Sequence, residues 1–327
     1  MQFPLLSRRE IPGTIGVITG GWSRERDRSL NSARAVMESL GRQQARAILV
    51  DPETENFLDQ ITQVGMAFLA IAGRGGEDGR LQGLLDTLDI PYTGSGVLAS
   101  ATGMHKPTAK MLVADAGLRV PKGLIVDRTA GGLGEAERLV GILGLPVALK
   151  PANEGGSIGL RVARDLAELA EDLSELSRSD TELLAEQFSP GRPVSVGVLE
   201  ARAVDGEELY VLPPLEVDVP GGIYTYAAKR AQRPCVYHCP ARLPLAMRKQ
   251  LQAAAQAAHR ALHCTGYSRH DFVVTGPGEA VWLEVNTLPG LTEQGNLARM
   301  ADADGLSYDQ LVAHIARGAA VDRRAQV

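Results

Sequence analysis

Cysteine is scarce in this 327-residue chain: Cys235, Cys239 and Cys264 are too few for a disulfide framework, which suits a reducing compartment. Long apolar runs are missing too. No stretch approaches the roughly 18 residues of a membrane span, and the opening MQFPLLSRRE carries an apolar run too short for a signal peptide. The expectation is a cytoplasmic protein with no membrane partner. There is no basic excess either, since 34 Lys and Arg stand against 39 Asp and Glu for a formal charge of −5. Nucleic acid is therefore not an expected partner, and a small molecule is. The commonest nucleotide motifs are also absent: no Gly-Lys-Ser/Thr phosphate loop occurs, and no GxGxxG follows the first strand-like run. A dinucleotide-dependent dehydrogenase would need that fingerprint and a ribose-binding acid at a set interval.

What is present suits an ordinary globular protein, with 44% apolar and 22% charged residues, long enough for two or three packed units. Thr14 to Thr19 is a β-branched-rich run ending in Gly20-Gly21, after which Ala33, Val36, Met37 and Leu40 recur at helical spacing. With the apolar runs Ala47 to Val50 and Met66 to Ala72, this predicts a parallel α/β layer. From Lys106 to Gln187, helical pattern alternates with strand-like runs at Pro146 to Lys150 and Glu182 to Glu186. They bracket the glycine-rich EGGSIG, as a small nucleotide-clamping lobe would. After Arg192, period-two runs cover Val194 to Glu200 and Leu209 to Leu212 and lead to the turn-rich VPGGIYTYAAKRAQRP. Leu251, Ala254, Ala258 and Leu262 then make one helix face. The expected units are residues 1–103, 104–190 and 191–318, with a polar tail at 319–327.

The densest chemistry lies in residues 269 to 286, where SRHDFVV and AVWLEVN flank the turn TGPGE and read as a hairpin. Its register puts Asp271 opposite Glu284 and Arg269 opposite Asn286, all four on one face. Phe272, Val274, Leu283 and Val285 then take the other, buried face. Like charges opposed in a sheet destabilise it, so Asp271 beside Glu284 asks for a cation, and oxygen ligands with an amide suit magnesium. A solvated polar face with Arg269 neutralising one acid is the alternative. Glu154-Gly-Gly-Ser-Ile-Gly159 offers glycine N–H groups and the Ser157 hydroxyl to an anion, with Lys150 just upstream; a plain surface turn is the other reading.

Taken in order, YTGSGVLAS (92–100), Lys106, ALKPANEGGSIG (148–159), Glu186, Lys229, RHD (269–271) and LEVNTLPGLT (283–292) resemble the D-alanine:D-alanine ligases of the ATP-grasp superfamily. GGWSRERDRSLNS (20–32) and GRGGEDGRLQG (73–83) resemble that family's N-terminal segments. The resemblance implies an α/β protein with an N-terminal parallel-sheet domain, a central lobe and a C-terminal α+β domain. It implies ATP as cosubstrate and two Mg²⁺ ions, with Mn²⁺ as a substitute, held by Asp271, Glu284 and Asn286. Lys106, Lys150, Glu154, Gly155, Gly156, Ser157, Glu186, Phe188, Lys229 and Leu283 would surround the nucleotide. Arg269 and the Gly290 N–H would stabilise the oxyanion formed when an amine attacks an acyl phosphate. Ser157 would close over the triphosphate, and Glu25 would hold the first substrate's ammonium. Amino acids are the implied partners, and a homodimer the implied assembly.

Departures from the family pattern cluster on the substrate side. Ala72 stands where a histidine usually precedes GRGGEDG, Arg230 where a tyrosine follows the lysine, Gly156 where the loop has a serine, and Gly295 or Asn296 where a serine holds the second carboxylate. Pro193 takes the place of the acid expected near the ribose. Arg24, Arg28 and Arg230 bring positive charge, which fits a substrate bearing an extra acid or an unusual carboxylate in place of the second D-alanine; solvated Arg24 and Arg28 that merely flank Glu25 are the other reading. Three readings stay open: a cell-wall ligase, a relative in specialised metabolism that joins or cyclises another amino acid, and a non-catalytic ATP-binding regulator. Cys235 and Cys239 read as packing rather than metal ligands, because His238 falls on the opposite strand face. His263-Cys264 reads as a helix end.

Overall fold

A computed structural model describes residues 3–7, 10–11, 13–129, 132–156, 158–178, 182–203, 206–219, 235–276 and 278–319. The first part alternates β1 (Ile15–Ile18), α1 (Arg26–Arg42), β2 (Ala47–Val50), α2 (Phe57–Ile61), β3 (Met66–Leu69) and α3 (Arg80–Thr87). The three strands are parallel in the order β2-β1-β3. Every residue of the central β1 is buried, as expected for a strand covered on both faces. The run expected to reach Ala72 stops pairing at Leu69, where β1 also ends at Ile18, and residues 70–72 continue as buried loop. Two helices follow, α4 (Val97–Met104) and α5 (Lys106–Asp115).

The next unit holds β4 (Gly123–Ile125), α6 (Gly132–Leu143), β5 (Val147–Pro151), β6 (Arg161–Ala163), α7 (Leu166–Leu176) and β7 (Leu183–Gln187). Its strands form an antiparallel sheet in the order β4-β7-β5-β6. Leu139, Leu143, Leu169 and Leu173 of the two helices pack onto it in a core of its own. The last part contains β8 (Arg192–Ala203), β9 (Gly206–Val211), β10 (Leu215–Asp218), β11 (Val236–His238), α8 (Leu245–Ala261), β12 (Tyr267–Gly276), β13 (Glu279–Asn286), α9 (Asn296–Ala303) and α10 (Tyr308–Arg317). Its six-stranded sheet runs β11-β10-β8-β12-β13, with β9 paired to β8. The α8 face centres on Leu251, Ala255 and Ala258, with Ala254 only partly buried. Helices α9 and α10 share one core with the N-terminal sheet. The antiparallel lobe and the six-stranded sheet border one cleft, which Arg28 of α1 also lines.

The hairpin β12–β13 has the expected pairs, Arg269 with Asn286 and Asp271 with Glu284. Beyond Asp271 the register slips, so Phe272 pairs with Trp282 and Leu283 becomes the extra residue of a β-bulge. The expected burial of Leu283 is corrected by that slip. Trp282 takes the inward position at 1% exposure, while Leu283 turns onto the cleft wall. His263, just past the end of α8, adopts φ 54°, and Cys264 behind it is buried. Burial pushes the Cys264 thiol up to about 12, which leaves it protonated and unreactive. The Cys239 thiol points at the carbonyls of Pro213 and Pro214. No helix among the described residues is long and apolar enough to cross a membrane.

Candidate active site

The central lobe and the six-stranded sheet enclose a cleft with about 1250 Å³ of empty space, its open mouth included. On the lobe side, Glu186 of β7 faces two lysines: Lys150 of β5 at 2.5 Å and Lys110 of α5 at 2.9 Å. Lys106 and Lys110 are one turn apart on α5, so they share a face, and both are buried. The turn starts cleanly because His105 caps it, its ring accepting from the Thr108 N–H, and Pro107 occupies the first turn, where no N–H is required. Burial alone would raise the Glu186 carboxyl, but Lys150 and Lys110 hold it below its ordinary value. Burial pushes Lys110 down to about 8, still charged at neutral pH. Lys106 donates to the Glu154 carbonyl at 2.5 Å and lies 3.7 Å from Glu284, reaching from the lobe to the sheet.

On the sheet side, Asp271 is held from three directions. Arg269 grips it through two hydrogen bonds at 2.9 and 2.8 Å, Ser195 of β8 donates at 2.6 Å, and Asn286 donates at 3.2 Å. Ser195 sits there because β8 pairs with β12 at Asp271. Asp271, Glu284 and Asn286 all line the cleft and together offer the all-oxygen set that a hard divalent cation takes. Behind them, Trp282 donates to His270, which joins Ser268 and His259 in a buried chain. Burial drives the His270 imidazole well below its usual range, so the residue between Arg269 and Asp271 adds no charge.

The N-terminal segment closes the third side. Glu25 is the N-cap residue of α1, yet its side chain does not cap that helix. It turns inward, 6% exposed, and accepts from Arg28 at 2.6 Å. The glycine loop lies on top of it: a Cβ on Gly155 would stand 2.5 Å from Glu25 Oε2, and one on Gly156 would stand 2.8 Å from Oε1. Gly156 also has φ 65°, which other residues rarely adopt. Arg28 lies against Gly290, and Gly295 packs on the Gly290 carbonyl. Ala72 is buried nearby, its carbonyl accepting from Ser23 and its N–H donating to Ser29. Burial, reinforced by the Glu25 carboxylate, pushes buried Glu77 up to about 7.

Of the residues singled out in the sequence, Arg28, Lys106, Lys150, Glu154, Gly156, Glu186, Phe188, Arg269, Asp271, Leu283, Glu284 and Asn286 line the one cleft. Gly155 lines an adjoining recess with Glu77, and Glu25, Ala72, Gly290 and Gly295 lie around its amino-terminal side. Asn296 opens α9 one residue after Gly295 and is not among the cleft-lining side chains. Ser157, Lys229 and Arg230 lie outside the described residues. Lys110, Ser195 and Glu77 belong to the site but were not singled out. The spacing of four from Lys106 was the signal for Lys110.

A small antiparallel lobe facing a larger antiparallel sheet across a cleft of lysines and acids is the arrangement of the ATP-grasp ligases, enzymes that form carbon–nitrogen bonds. A family model described as D-ala D-ala ligase C-terminus matches residues 112–317. A D-alanine–D-alanine ligase of Citrifermentans bemidjiense is 41% identical over 310 residues, 94% of this chain and 96% of that protein. A crystal structure of the Bacillus anthracis D-alanine–D-alanine ligase complexed with ATP superposes with TM-score 0.79 at 26% identity, covering 94% of this chain and 97% of that one. The VanG D-Ala:D-Ser ligase of Enterococcus faecalis superposes with TM-score 0.80 at 29% identity, covering 93% and 98%. The chain belongs to the D-alanine–D-alanine ligase family.

Proposed function

We propose that this protein joins the carboxylate of one amino acid to the amine of a second, cleaving ATP to ADP and phosphate, and that D-amino acids are its substrates, as its relatives' names indicate. The observation that carries the reading is the meeting, in one cleft, of a paired-lysine lobe with the opposed Asp271 and Glu284. Lys150 and Lys106 would meet phosphate oxygens, and Glu186 and the walls at Phe188 and Leu283 would hold the adenine. The opposed carboxylates with Asn286 fit divalent cations, because they set hard oxygen ligands side by side on one wall of the cleft. Magnesium ions bound there would neutralise phosphate charge.

The chain's own groups would then do the following. The donor carboxylate takes the γ-phosphoryl group, becoming an acyl phosphate, while the glycine loop over Glu25 keeps water out. The acceptor amine attacks the acyl carbon. Arg269 and the Gly290 N–H stabilise the resulting oxyanion, an interaction whose loss typically costs roughly 10²–10³ in rate. Phosphate leaves and the peptide bond remains.

ADP release by the purified protein with ATP and magnesium, across single and paired D- and L-amino acids, tests this with mass spectrometry of the products. Release that depends on a D-amino acid and yields a dipeptide supports it. Nucleotide binding with no release on any amino acid would instead favour a non-catalytic regulator.

A further inference from the structure

Among the described residues, the Arg28 guanidinium has one hydrogen-bond partner, Glu25, reached through a single terminal nitrogen at 2.6 Å. An arginine carries five N–H donors in a rigid fork, so the Nε edge is left over. That edge faces Gly290: a Cβ there would meet Nε at 3.2 Å and the second terminal nitrogen at 3.3 Å. Arg28 is a cleft-wall residue with 36% of its side chain exposed, whereas the Glu25 side chain behind it is 5% exposed. The acid that could receive a substrate ammonium is therefore already in contact with a cation, and the cation stands in front.

A donor that brings only an ammonium would put a second cation on one carboxylate. A donor that brings an ammonium and a side-chain carboxylate completes two pairs of opposite sign, one on Glu25 and one on Arg28. The planar fork suits a carboxylate bound by two parallel hydrogen bonds. We propose that Arg28 is a specificity-determining residue and that the donor is an amino acid with an acidic side chain, whose side-chain carboxylate binds the Nε edge of Arg28 beside Gly290. This rests on the ligase reading above.

The test compares D-aspartate with D-asparagine and D-glutamate with D-glutamine, by calorimetric binding to the protein loaded with magnesium and a non-hydrolysable ATP analogue, and by ADP release. The acid should bind about 10–100-fold better than its amide, the usual worth of a two-point charged contact. Arg28→Met should reduce that ratio to less than threefold. Arg28→Lys, which keeps the charge but not the fork, should retain an intermediate preference and guards against a variant that does not fold. Equal binding of acid and amide by the wild type, an unchanged ratio in Arg28→Met, or D-alanine as the best donor would overturn the proposal. Because binding is read apart from turnover, a failure of ligation on every amino acid would count against the ligase reading alone.

Discussion

Asp271 stands directly opposite Glu284 across β12 and β13, two carboxylates on one wall of the cleft, with Arg269 gripping the first and Lys106 3.7 Å from the second. Each acid has a protein cation beside it, yet the pair still offers oxygens to the cavity. A divalent cation should therefore bind best when phosphate is present to complete its ligands.

From that pair comes the first expectation. With an ATP analogue present, magnesium should raise the melting temperature of the wild type, since a ligand at 100 times its Kd adds about 2.7 kcal/mol. Asp271→Asn and Glu284→Gln should lose most of that magnesium-dependent shift and about 10²–10³ in kcat, by removing metal-assisted charge stabilisation. A full magnesium response in both variants would exclude this wall as the cation site.

The contact between the glycine loop and Glu25 gives a second. Gly155 needs no special backbone angle, so Gly155→Ala isolates the close approach to Glu25 Oε2 at 2.5 Å. Overpacking of this kind costs about 1–3 kcal/mol. The same change made in a Glu25→Ala background should cost far less, because the colliding carboxylate is gone. Denaturant melts of the four proteins measure the coupling, and additive effects would show that the loop does not rest on Glu25.

Glu77 sets a third, on pH. Its folded-state pKa is raised from 4.5 to about 7, by burial and then by Glu25. A raised carboxyl favours the protonated fold, so its contribution is fully present below the ordinary carboxyl range and is lost as pH rises through about 7. Relative to Glu77→Gln, wild-type stability should fall between pH 5 and pH 8 when both are measured by denaturant unfolding without ligands. Parallel pH profiles would contradict this.

Much of this site could be read from residue order because its signals are local. The alternation of SRHDFVV and AVWLEVN around TGPGE was enough to pair Asp271 with Glu284, and the structure keeps that register. The same rule misplaced Leu283, because one bulged residue shifts the partners of Phe272, Val273 and Val274 and no propensity marks it. Glu77 escaped notice since its raised pKa comes from burial and then from Glu25, 52 positions away in sequence, and both arise only on folding. Ser195 depends in the same way on the β8–β12 register. The Glu25–Arg28 pair is the opposite case: a spacing of three on α1 brings the two together by helix geometry alone.

The central claim is that a carboxylate is activated by phosphoryl transfer in this cleft. Donor amino acid labelled with ¹⁸O in its carboxylate, incubated with the enzyme, ATP, magnesium and an acceptor, tests it by mass analysis of the released phosphate. One ¹⁸O per phosphate in step with dipeptide formation is the expected result. Unlabelled phosphate released alongside dipeptide would mean that water, not the carboxylate, receives the phosphoryl group, and would contradict the account.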